Sequence, residues 1–143
     1  MIDSKQNTTF LDSSYLFFCL ERGHKSETVI EGLSKLGENV CTNVKTLQEI
    51  VYYFHIMGET QLGYNIATQL AQKVTVHSIG SEDLDELDIL LERYPRLKSR
   101  VLFHVGSMKR NKICSVLCNP SSDFAEVNDV VIRSGLAEMG LIG

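Results

Sequence analysis

Thr9-Phe10-Leu11-Asp12-Ser13-Ser14-Tyr15-Leu16 is the stretch on which the rest of the chain can be aligned. A short β-favouring run, Thr9 to Leu11, delivers a carboxylate to a break of small hydroxyl residues, and an apolar run from Tyr15 to Leu20 follows. In an α/β fold the residue after a strand's carboxyl end lies in the crevice where ligands bind. Asp12 is therefore a candidate metal ligand or acid–base group. The same position also suits a helix N-cap, whose side-chain oxygen accepts a free N–H of the first turn. This stretch alone leaves both readings open.

Working outward, the helix after Asp12 ends at Gly23, and a second, with apolar residues at 29, 30, 33 and 36, ends at Gly37. Asn39-Val40-Cys41-Thr42 is the next strand. Asn43 to His55 is a helix with a stripe of Val44, Leu47, Ile50, Val51 and Phe54, and it carries Glu49 beside that stripe. Leu62 to Lys73 is helical, and Val74 to Ile79 alternates as a strand does. An acidic helix start at Ser81-Glu82-Asp83 predicts one helix reaching Tyr94, stopped by Pro95. Leu97 to Asn111 is a further helix, and Ile113 to Cys118 is a continuous apolar strand. The turn Asn119 to Phe124 then sets Asp123 after that strand. The period from Val127 to Gly143 fits neither helix nor strand cleanly. Alternating strands and helices predict a three-layer α/β/α domain with a mainly parallel central sheet.

The 143 residues, 43% hydrophobic and 22% charged, fit one soluble domain spanning 1–143. No apolar stretch is long enough to cross a bilayer, and Met1 to Asn7 lacks the basic and apolar parts of a signal peptide. A cytoplasmic protein is expected. The net charge of −4 gives no support for broad electrostatic capture of nucleic acid. The basic residues at 93, 96, 98 and 100, and those at 109, 110 and 112, suit a solvated helix face. Cysteines at 19, 41, 114 and 118 show no C-x-x-C pair and fit small buried hydrophobes. His104 lies on or near an apolar stripe, where a histidine is more often a satisfied core residue than a ligand.

Asp12 and Asp123 each follow a strand, and Glu49 is on the helix after another, so all three are placed near one sheet edge. Converging carboxylates repel one another, and the arrangement makes sense mainly around a hard cation. Mg²⁺ or Mn²⁺ takes oxygen ligands, activates water and offsets charge on a phosphodiester under attack.

Four segments in order resemble one family. They are Phe10-Leu11-Asp12-Ser13-Ser14, Thr42 to Ile50 with Glu49, Val101 to Gly106 with His104, and Cys114 to Phe124 with Asp123-Phe124. Over residues 9–126 the chain resembles PIN domains, small nucleases that include the VapC toxins of toxin–antitoxin pairs. Two acidic positions of the family pattern are vacant. The helix carboxylate of "D-x-x-H" falls on Val101, and the first Asp of the closing motif falls on Ser121, with its preceding Ser/Thr on Asn119. The resemblance implies a Mg²⁺- or Mn²⁺-dependent endoribonuclease with a reduced site. Asp12, Glu49 and Asp123 would hold the ion and serve catalysis, and Ser13, Asn119 and Ser121 would orient water or phosphate. It also implies RNA as substrate, a small antitoxin as partner and pairing of two copies. The vacancies at Val101 and Ser121 favour an alternative, a PIN-like domain that binds RNA or a protein partner without cutting.

Overall fold

The computed structural model describes residues 8–133. Five strands form one sheet in the order β3-β2-β1-β4-β5, every pairing parallel: β1 (Thr9–Leu11), β2 (Val40–Asn43), β3 (Thr75–His77), β4 (Ser115–Leu117) and β5 (Val131–Arg133). β1 is central, with Thr9 opposite both Val40 and Ser115. The helices are α1 (Ser13–Glu21), α2 (Ser26–Leu36), α3 (Val44–Ile56), α4 (Thr60–Lys73), α5 (Glu82–Asp85), α6 (Leu87–Arg93) and α7 (Ser99–Arg110).

Successive strand residues point to opposite faces, and the two cores divide accordingly. Leu11, Val40 and Leu117 pack with α1 to α4 on one face, through Leu16, Val29, Ile50, Phe54 and Leu70. Phe10, Cys41 and Val116 face the other way, onto Leu90, Val101, Val105, Met108 and Phe124. The continuous apolar sequence of the central strands is thus the signature of a sheet covered on both sides. The α/β/α architecture predicted from the alternation of elements is the one observed.

α3 and α4 approach closely at Gly63, where an added Cβ would stand 2.6 Å from the Phe54 Cβ and 3.4 Å from the Ile50 carbonyl oxygen. Neither contact is the far end of a flexible side chain. Gly63→Ala is expected to destabilise by about 1–2 kcal/mol in urea unfolding, overpacking outweighing the better helix propensity of alanine.

One segment departs from the sequence expectation, and part of the tail, which the sequence leaves open, takes a definite form. The single helix predicted to reach Tyr94 is two, α5 and α6, because its apolar residues do not share one face. Leu90 is buried while Leu84, Ile89 and Leu91 are about half exposed. Asp83 turns inward to accept from the Gly80 N–H at 2.9 Å and from Arg110 Nε of α7 at 2.6 Å, which pins α5 to α7. In the tail, Val131–Arg133 forms the edge strand β5, and residues 134–143 lie outside the described part.

Candidate acidic centre

Asp12 is both cap and site residue. Its backbone N–H donates to the Leu117 carbonyl at 2.9 Å, extending the ladder one residue past β1. One carboxylate oxygen, Oδ2, accepts from the N–H of Ser14 at 3.2 Å and from the Ser14 hydroxyl, capping α1. The other, Oδ1, faces away from the helix and accepts from Arg100. The Ser14 hydroxyl in turn accepts from the Asn119 N–H at 2.9 Å, tying the turn after β4 to this cap.

Asn43, the last residue of β2, plays the matching part for α3. Its Oδ1 accepts from the Thr46 N–H at 2.9 Å, which leaves Nδ2 to donate to His104 Nδ1 at 3.1 Å. That donation requires an unprotonated Nδ1, so the imidazole carries its proton on Nε2. Nε2 then donates to Glu49, 3.2 and 3.3 Å from its two oxygens. Asn43→Ala removes the cap and leaves a buried imidazole nitrogen without its donor. A loss of about 2–4 kcal/mol is expected in the same unfolding assay.

Arg100 completes the centre. It stands one helical turn before His104 on α7, on the same face. Its Nε donates to Glu49 Oε2 at 3.0 Å, and Nη2 donates to Glu49 Oε1 at 3.2 Å and to Asp12 Oδ1. Ser13 adds its hydroxyl to Glu49 Oε1 at 3.0 Å, and Lys45 Nζ lies 3.3 Å from Oε2. Burial alone would raise the Glu49 pKa, but hydrogen bonds from His104 and Arg100 outweigh it and hold the carboxyl well below the usual range. Burial likewise acts to lower the Arg100 pKa, and its contacts with Glu49 and Asp12 more than reverse that.

The structure therefore brings Asp12, Glu49 and Ser13 together. Asp123 opens a single 3-10 turn, Asp123–Glu126, and its carboxylate is 3.7 Å from Lys98 Nζ. Among the described residues the compact group with metal-binding side chains is Asp12, Glu49 and His104, with ligand atoms within 4.8 Å, and Asp123 is not in it. Asn119 lies beside the centre through Ser14. The exposed Ser121 donates its N–H and hydroxyl to Asn119 Oδ1, at 3.0 and 2.9 Å. Val101 is 1% exposed and belongs to the core under the sheet.

Two members of the centre were not assigned to it from the sequence. The sequence pattern puts Arg100 in a solvated basic run and His104 on an apolar stripe. The signal available was their spacing of four, which sets a cation and an imidazole on one helix face. The cysteines take no part. Burial pushes Cys41 up to about 12 and Cys118 up to about 11, so neither is a thiolate near neutrality.

No protein-family profile and no curated protein sequence matches the chain. Solved structures do. DNA-bound VapBC from Salmonella typhimurium superimposes with a TM-score of 0.68 at 14% identity, over 88% of this chain and 96% of that one. VapC20 of Mycobacterium tuberculosis, a toxin that cleaves the sarcin–ricin loop, gives 0.66 at 18% identity over 88% and 99%. VapBC2 from Rickettsia felis, bound to a fragment of its promoter DNA, gives 0.66 at 11% identity over 88% and 97%. The fold is that of the VapC structures.

Within that VapC-type fold the centre is poorly suited to a divalent ion. Two carboxylates are enough oxygen ligands for Mg²⁺ or Mn²⁺. Here, however, all four carboxylate oxygens already accept from protein donors. His104 presents a proton rather than a lone pair toward Glu49. The charges of Asp12 and Glu49 are matched by those of Arg100 and Lys45, so the nearest four charges offer a divalent ion no net attraction. Among the described residues, no atom of this centre is a buried polar group left without a partner.

Beside the centre lies a cleft of about 340 Å³, lined by Ser13, Ser14, Glu21, Arg100 and Asn119 and by the apolar Phe17, Phe18, Tyr53, Ile56 and Met57. Tyr53, Ile56 and Met57 are 44%, 62% and 57% exposed. Among the described residues no helix is long and apolar enough to cross a membrane.

Proposed function

We propose that the chain is a PIN-like protein of the VapC toxin kind that engages RNA at the carboxyl edge of its sheet without cutting it. A small antitoxin-type protein would cover the adjoining apolar cleft. One observation carries this conclusion: the carboxylate pair that would serve hydrolysis is closed by Arg100, which bridges Asp12 and Glu49. The vacancies at Val101 and Ser121 support the same reading. The toxin–antitoxin assemblies among the similar folds, and the RNA-cleaving VapC20, support the partner and ligand classes.

A second reading has its own observation. The ligand atoms of Asp12, Glu49 and His104 lie within 4.8 Å of one another. This favours a Mg²⁺- or Mn²⁺-dependent endoribonuclease in which Asp12 and Glu49 are the acidic pair, Asp123 lying outside the group. Labelled structured RNA incubated with the purified chain separates the two. Salt-sensitive binding with no cleavage in either ion is expected. Metal-dependent cleavage that disappears in Asp12→Asn would establish the second reading instead.

A further inference from the structure

We propose that Arg100 is the resident cation of the acidic centre, bridging Asp12 and Glu49 as a divalent ion would and keeping such ions out. One planar group reaches both carboxylates: Nη2 donates to Asp12 Oδ1 and Glu49 Oε1, and Nε to Glu49 Oε2. The guanidinium fork matches carboxylate geometry, and arginine does not lose its proton in proteins. The closure is therefore insensitive to pH as far as Arg100 is concerned, which a lysine or histidine would not guarantee. Lys45 supplies the second positive charge at Glu49 Oε2, 3.3 Å away, and balances the centre. His104 holds its proton toward Glu49 and reinforces the arrangement. The proposal rests on the closed centre invoked above, but its readout is ion binding, while RNA binding and cleavage are scored separately.

The test is calorimetric titration with Mn²⁺ of the wild type, Arg100→Ala and Arg100→Gln. The wild type should show no saturable binding at millimolar Mn²⁺. Both variants should bind roughly 10- to 100-fold more tightly, the range over which neighbouring groups tune metal sites. Asp12→Asn added to either should abolish the gain. Mn²⁺ should also raise the melting temperature of the variants but not of the wild type. Should both variants fail to fold even with Mn²⁺, the wild type decides through the nitrogen-15 signal of the Arg100 Nε–H. That signal should stay unmoved through millimolar Mg²⁺. Three results overturn the proposal: sub-millimolar Mn²⁺ binding by the wild type, a Mg²⁺-induced shift of the Arg100 signal, or folded variants that gain no affinity.

Discussion

Asp12→Ala is expected to destabilise the protein by about 3–5 kcal/mol in urea unfolding near neutral pH, the range for breaking a buried ion pair from one side. The side chain is fully buried, and its two oxygens do different work. Oδ2 caps α1, while Oδ1 neutralises Arg100. Asp12→Asn separates these roles, because asparagine caps as well as aspartate but carries no charge. It should recover about 1 kcal/mol of the loss, the usual contribution of a cap, and leave the rest. A loss below about 1 kcal/mol for Asp12→Ala would mean that Glu49, still bonded to Arg100 Nε and Nη2, and water together satisfy the guanidinium. Arg100 keeps only 27% side-chain exposure, which makes that outcome unexpected.

Acid titration is the second large effect, and its sign follows from Glu49. Its carboxyl is depressed in the folded protein and titrates near ~4.3 when unfolded. A depressed folded pKa gives stability that is fully present above the unfolded value and is lost as pH falls below it toward the folded value. Below about pH 4 this one group should remove up to about 1.4 kcal/mol per pH unit. Glu49→Gln deletes that slope, so the wild-type and variant stability curves should be widely separated near neutrality and converge on acidification. Parallel curves from about pH 6 to pH 3 would show that His104 and Arg100 do not bias the Glu49 proton.

Much of the fold could be read from sequence because the β-favouring runs of β1, β2 and β4 and the periodic helices carry strong local signals. Asp12 and Glu49 were also legible, since their strand-end and post-strand positions fix the sheet edge on which they lie. Other features depend on distant partners. Asp83, inside α5, turns inward because Arg110 waits on α7. β5 is a three-residue edge strand whose pairing with β4 gives little periodic pattern of its own. Arg100 is hidden from the sequence for the same reason: a basic residue at the start of a helix looks solvated until two carboxylates from elsewhere are set against it. Val101 was recognised as a vacancy in the acidic pattern, and the structure adds that the position is packed into the core.

The central place of β1 bears on how the chain assembles. β1 is flanked by β2 and by β4, and its β4 pairing joins Thr9 to Ser115 across more than a hundred residues. While the chain emerges from a ribosome, β1, β2 and β3 with α1 to α4 hold most of one core, yet one edge of β1 stays unpaired until β4 arrives. Contacts of such sequence separation slow folding, and an open strand edge invites mispairing. Because Asp12 donates its N–H to Leu117 and meets Arg100 from α7, the acidic centre takes shape only once α7 and β4 have been made.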